Sequence, residues 1–383
     1  MKQLAGLLKH RGGEAAMKIL HFNNERTWRG GERQTLLLAA GLKDHGITSV
    51  IACRPGEPLA RLALESGVPV RPIPGNNFGA ALTLPRIARE FDLLHCHTGR
   101  GHSLAALTSA WHRKPFLVTR RVDFLPGGGW FNRYKFRGAA RVVCISQFIA
   151  DQLAGWGVPR ERLSVISSAV PLPDPQLLTP QHQAAARARL GVAPDVKLIG
   201  NIAAMVGHKD QATLLRAAKI VLQRRPEARF VIIGDGELRR PLLAQRRELD
   251  LADQVLMPGF IPQAEEFLPA FDVFAMSSCM EGLGSIVLDA FAAGTPVAAT
   301  AGGGIPETVR HEETGLLVPV GDHAGLAAAI LRLLTEEPLA ARLRANALDR
   351  VRRDYSVERM SGDYSKLYRE LVRAPLRASG PGT

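Results

Sequence analysis

From residue 18 onward the chain repeats one alternation: a short apolar run, then a longer stretch whose apolar positions recur every three or four residues. KILHF, TSVIAC, VPVRPI, DLLHCH, FLVT and RVVCIS are the runs of the first half, and KLIGNI, RFVIIGDG, QVLMPGF, DVFAMSS, TPVAAT and GLLVPV those of the second. Runs this short and this continuously apolar suit strands buried on both faces. The amphipathic stretches between them suit crossover helices, so each half predicts an α/β doubly wound parallel sheet. In the second half Leu214, Leu215, Ala218, Val221 and Leu222 fall on one helical stripe and predict a helix laid on that sheet. Tyr364, Leu367, Tyr368 and Leu371 repeat this spacing near the end.

A Pro-rich passage, VPLPDPQLLTP at 170–180, divides the two halves, and 383 residues are more than one core comfortably holds. The expected organisation is a first domain over 17–175, a second over 176–356, a helix over 357–373 packing back on the first domain, and a tail over 374–383. Residues 1–16 read as a leader or a misplaced start, because Met17 opens directly onto the first strand. Doubly wound sheets bind ligands at the carboxyl ends of their strands, so facing domains would share one cleft.

Charge changes the picture only in its distribution. Residues 1–175 carry 24 Lys and Arg against 12 Asp and Glu, whereas residues 176–383 carry 25 against 24. A basic half beside a neutral one points to an anionic partner on the first domain: nucleic acid, a phosphorylated acceptor or an anionic lipid surface. Only 6% of residues are aromatic and no aromatic-interleaved basic stripe is evident, which ranks nucleic acid behind the other two. Cys53, Cys96, Cys144 and Cys279 lack CxxC spacing and read as reduced thiols, Cys96 and Cys144 within strands. No apolar stretch is long enough to span a bilayer or resembles a signal peptide, so the expected location is the cytoplasm, free or peripheral on the inner face of the cell membrane.

The strongest local pattern is Glu281-Gly282-Leu283-Gly284, between the run DVFAMSS and the helical stretch SIVLDAFAAG. Glycines at a strand-to-helix turn let backbone N–H groups approach an anion, and the helix N-terminus favours negative charge. Asp289 lies among apolar residues of that helix, where an unpaired carboxylate is costly unless it meets hydroxyl donors or a structural partner. In the first half Arg29-Gly30-Gly31-Glu32 makes a similar turn, which could equally be a plain connection. Arg120, Arg121 and Asp123 form a charged cluster suited to an acceptor's phosphate or carboxylate, or to a solvated loop. His95 and His97 share one face of their strand, with His102 beyond; a zinc site of the three is conceivable but lacks further ligands.

Glu281 to Asp289 resembles the E-x7-E signature of retaining glycosyltransferases of the GT-B architecture, particularly glycosyltransferase family 4, with the second acid shortened to Asp. The resemblance runs from Met17 to Val372 and is densest from Ile199 to Asp322. It implies two Rossmann-like domains facing a cleft. IGNIAAMVGHKD resembles the segment where an Arg and a Lys bind the donor diphosphate: Lys209 holds the lysine position, and Ala204 stands where the arginine is usual. By the same resemblance Glu281 and His97 would lie at the reacting sugar and Asp289 at the ribose. Gly30, Gly31, Gly234, Gly236, Phe260, Ile261, Gly282, Leu283 and Gly284 would line the donor. GGGIPETV at 302–309, GLLVP at 315–319 and Asp322 match the family's C-terminal pattern.

What the resemblance implies is a metal-independent, retaining transfer from a nucleotide sugar to a glycan or lipid-linked acceptor, of lipopolysaccharide or cell-surface polysaccharide type. No cofactor is expected, and no D-x-D offers ligands to a divalent cation. A nucleotide-sugar epimerase of similar fold is the alternative, with a basic nucleic-acid-binding protein behind it.

Overall fold

In the computed structural model the described residues are 16–373; the leader and the 374–383 tail lie outside them, apart from residue 16. Contacts divide the chain into two compact units. One holds the residues up to Arg120, 126–143 and those from Ser361 on; the other holds Arg121–Leu125 and Cys144–Met360.

The first sheet has seven strands: β1 (Lys18–Phe22), β2 (Thr48–Cys53), β3 (Val70–Pro72), β4 (Leu93–Cys96), β5 (Phe116–Arg120), β6 (Arg141–Cys144) and β7 (Leu163–Val165). Their order is β3-β2-β1-β4-β5-β6-β7, and the pairs around β1 are parallel. The second sheet has six: β8 (Leu198–Ile202), β9 (Arg229–Ile233), β10 (Val255–Gly259), β11 (Val273–Met276), β12 (Val297–Thr300) and β13 (Leu316–Val318). These run β10-β9-β8-β11-β12-β13. Each sheet is doubly wound, and the order reverses between β1 and β4 in one and between β8 and β11 in the other, the two places where such folds open a crevice. All twelve apolar runs form strands; β7 is an addition, three residues long and only half-buried.

The helix Gln211–Arg224 buries its predicted stripe, from Leu214 at 0% to Leu222 at 4% exposure, inside the core of the second sheet. The helix Val357–Arg373 buries Tyr364, Leu367, Tyr368 and Leu371. From Ser361 on it belongs with the first unit: Tyr368 Oη meets His95 Nδ1 at 2.6 Å and Tyr364 Oη meets Thr119 Oγ1 at 2.7 Å. Cys53, Cys96 and Cys144 are buried, with burial raising the Cys53 thiol pKa to about 11 and that of Cys96 further. Among the described residues no helix is long and apolar enough to cross a membrane.

One expectation fails at the helix Trp130–Gly138. Its sequence, WFNRYKFRG, does interleave aromatic and basic residues, with Trp130 79% and Tyr134 46% exposed beside Arg133 and Arg137. The low aromatic content of the whole chain conceals this local concentration.

Candidate functional site

In the second unit the loops leaving β8 and β11 flank the point where strand order reverses, and they carry the two groups that the sequence singles out most strongly. After β8 a single turn, Gly207–Lys209, precedes Asp210, which adopts φ +44° and caps the following helix by accepting from Thr213 N and Oγ1. This left-handed cap is tolerable for Asp because its side chain bonds locally. The turn delivers Lys209 Nζ to Glu281 Oε1 at 2.5 Å, and Ser278 Oγ donates to the same oxygen at 2.8 Å. The Lys209 side chain is 19% exposed and that of Glu281 11%. Most of the pair is therefore withdrawn from water, which strengthens its attraction and raises the cost of breaking it.

The two loops are also stitched through the backbone. Ser277 Oγ donates to the Lys209 carbonyl at 3.1 Å, and Cys279 N to the His208 carbonyl at 2.9 Å. Behind them Gly302, Gly303 and Gly304 lie flat against the carbonyls of Ser278, Glu281 and Gly282, where any Cβ would collide. Gly304 N donates to the Glu281 carbonyl at 2.8 Å. The three-glycine run thus shapes the Glu281 loop from behind.

Gly282, Leu283 and Gly284 are all buried; Gly284 takes φ +74° and opens the helix Ser285–Ala292. Asp289 is half-buried on that helix. Gly234 and Gly236 close the β9 turn against the carbonyls of Ala203 and Met205, contacts that by themselves demand glycine. Phe260, 73% exposed, and half-buried Ile261 follow β10. Ala204 is exposed in the loop after β8, where it leaves Lys209 as that segment's cation next to the Glu281 loop. Glu307, which the sequence shows only as part of a pattern, accepts from Gln147 N at 2.7 Å and Phe148 N at 2.6 Å, capping the helix Gln147–Trp156. Asp322 likewise caps His323–Thr335 by accepting from Gly325 N.

In the first unit Gly30 and Gly31 open the helix Gly30–Gly41, with Glu32 turning back to accept from Arg29 N at 3.0 Å. A Cβ on Gly31 would meet only open space. Arg120 ends β5 half-buried, and Arg121 and half-buried Asp123 lie in the segment grouped with the second unit, so the cluster read as one straddles a division. The Arg121 carbonyl lies 3.1 Å from where a Gly282 Cβ would stand.

The histidines sort differently from their spacing. His102 points away from the other two: its Nε2 bonds the Lys135 carbonyl at 2.8 Å, and burial lowers its pKa to about 3. The third member of the cluster is His21, the register partner of His95 across β1 and β4. His21, His95 and His97 bring nitrogens within 4.8 Å of one another. They are arranged as a hydrogen-bonded network. His21 Nδ1 meets His97 Nε2 at 3.0 Å and His21 Nε2 meets Ser49 Oγ at 3.2 Å, while His95 is held at both nitrogens, by Tyr368 and by Thr119 Oγ1 at 2.7 Å. A metal ion could take His95 only by displacing a hydroxyl. His97 is 6% exposed at the carboxyl end of β4.

Known proteins bear on this arrangement at both levels. The model of "Glycosyltransferase Family 4" matches residues 28–172, and that of "Glycosyl transferases group 1" matches 182–350. The lipopolysaccharide core biosynthesis glycosyltransferase LpsD of Rhizobium meliloti is 29% identical over 361 residues, covering 92% of this chain and 98% of its own. LpsE of the same organism is 27% identical over the same shares. The crystal structure of Anabaena Alr3699/HepE in complex with UDP and glucose superposes with a TM-score of 0.82 at 22% identity, covering 93% of this chain and all of the other. With two doubly wound parallel sheets, one family match in each half and full-length relatives of the same kind, the chain belongs to the family-4-like glycosyltransferases of the GT-B architecture.

Proposed function

We propose that this glycosyltransferase moves a sugar from a nucleoside-diphosphate donor to a glycan or lipid-linked acceptor of the lipopolysaccharide type, with retention and without a divalent cation. The observation that carries the donor reading is the largely buried Lys209–Glu281 pair at the β8/β11 reversal. Lys209 is a point charge suited to a diphosphate, and the Gly282–Gly284 turn sets N–H donors at the start of a helix beside it. As the bond to the leaving diphosphate breaks, these groups stabilise the charge growing on it. Glu281, released from Lys209, accepts from a sugar hydroxyl, and Asp289 accepts from the ribose. UDP and glucose in the HepE structure support a nucleotide-sugar donor, and the names of LpsD and LpsE support an envelope glycan as product.

The exposed aromatic and basic face of Trp130–Gly138 supports a membrane-borne acceptor. Residues 93–150 hold nine Lys and Arg against the single acid Asp123, and amphipathic Trp and Tyr among cations favour an anionic bilayer interface.

The test is transfer from a panel of nucleotide sugars by wild type, Lys209→Ala and Glu281→Ala. Both variants should lose at least tenfold in turnover; unchanged turnover in both removes the donor site. A new nucleotide sugar formed without acceptor would turn the reading to an epimerase.

A further inference from the structure

Three polar side chains at the reversal point of the first sheet have no part in the site above. Arg54 follows β2 directly and is only 7% exposed, and its bond among the described residues runs from Nε to the Asn24 carbonyl at 2.7 Å. Asn24, just past β1, is 1% exposed; its Oδ1 accepts from Thr98 Oγ1 at 3.3 Å, while its amide nitrogen is buried and finds no partner among the described residues. Arg100, in the first turn of the helix Gly99–Leu107, donates from Nε to Asn77 Oδ1 at 2.5 Å and from a terminal nitrogen to the Gly75 carbonyl at 2.9 Å.

Gly75 also touches Arg54, since a Cβ there would stand 2.8 Å from Arg54 NH1. Two guanidiniums therefore flank one glycine, and among the described residues neither forms an ion pair with a carboxylate. A cation withdrawn from water beside another cation is unfavourable until an anion joins them. The place is also where a doubly wound sheet presents its ligand crevice: Asn24 and Thr98 leave the two strands between which the order reverses. An anion there would accept from both guanidiniums and from the Asn24 amide, close to the start of a helix.

We propose that Arg54, Arg100 and Asn24 form a pocket for an anionic group, phosphate or carboxylate, carried by the sugar acceptor. The pocket stands on this geometry alone, and its assignment to the acceptor rests on the transfer reading above. Planar guanidinium forks match both groups, so chemistry alone does not choose between them.

The experiment is thermal denaturation of the full chain with inorganic phosphate or with glucuronate, each against sodium chloride of equal ionic strength, for wild type and Arg54→Met. The expected result is a saturable rise in wild-type Tm with at least one of the two anions, weakened tenfold or more in Arg54→Met. General salt effects act alike on both proteins and cancel. A response to phosphate alone identifies a phosphoryl group, and one to glucuronate alone a carboxylate. Without added anion Arg54→Met should melt no lower than wild type, because it removes an uncompensated charge. Gly75→Ala keeps both charges, pushes the Arg54 head aside and should weaken the anion response as well; it carries the test if Arg54→Met does not fold. A wild type that answers neither anion, or an Arg54→Met that answers as wild type does, overturns the proposal. UDP serves as the internal control. Binding of UDP without an Arg54-dependent anion response sinks the pocket and spares the transfer reading; the reverse pattern spares the pocket and sinks its assignment to an acceptor.

Discussion

Lys209→Met removes one charge of the Lys209–Glu281 pair and keeps most of the methylene stem. The Glu281 carboxylate is then left with the Ser278 hydroxyl as its side-chain donor. Orphaning one partner of a fully buried pair costs about 3–5 kcal/mol. Here the two side chains keep 19% and 11% exposure, so water recovers part of that, and about 2–3 kcal/mol is the expected loss. Glu281→Gln should cost a similar amount by stranding the ammonium. The double variant strands neither charge, so its loss should fall short of the sum of the singles by about 1–3 kcal/mol. Urea unfolding of the four proteins measures this directly, provided the slope with denaturant is unchanged. Strict additivity, a coupling below about 0.3 kcal/mol, would refute the pair as drawn. Because the same residues are proposed to hold the donor, the double variant should be about as stable as either single variant while turnover stays at least tenfold down, which separates structural from chemical loss.

Two further outcomes follow from the first unit. His102 stays neutral in the folded protein down to about pH 3, whereas the unfolded chain takes up that proton near pH 6.5. The unfolded state therefore binds more protons below pH 6.5, and stability should fall as pH falls, by up to about 1.4 kcal/mol per pH unit from this group. His102→Gln, which still donates to the Lys135 carbonyl, should flatten that slope between pH 6 and 4 in urea titrations; an unchanged slope would assign acid sensitivity elsewhere. For the membrane reading, wild type should float with vesicles rich in anionic lipid and not with neutral ones, and Trp130→Ser/Tyr134→Ser should float several-fold less. Equal flotation of the variant, or release from vesicles by competing DNA, would count against insertion of this helix.

The strands were legible because their signal is local. A continuous apolar run between turn residues is buried wherever the sheet places it, and twelve of thirteen strands announce themselves this way. The stripe of Gln211–Arg224 and the tyrosines of the last helix are equally readable, since helical spacing puts them on one face whatever covers it. β7 escaped because its three residues, two half-buried and Val165 exposed, carry no such run.

What residues meet across the sheet was decided by strand order. Lys209 and Glu281 are 72 residues apart and become neighbours because β8 and β11 lie side by side. His21 joins His95 through the β1–β4 register, although spacing along the chain favours His102. The glycines at 234 and 236 read as donor-lining and those at 302–304 as part of a family pattern, and the tertiary structure sets all five against neighbouring backbone. Arg54, Asn24 and Arg100 look like ordinary loop residues in the sequence, because the absence of a counter-charge is a property of everything around them. Apolar periodicity reports how a segment is buried; a site of converging polar groups depends on which loops the sheet order brings together, and no single segment encodes that.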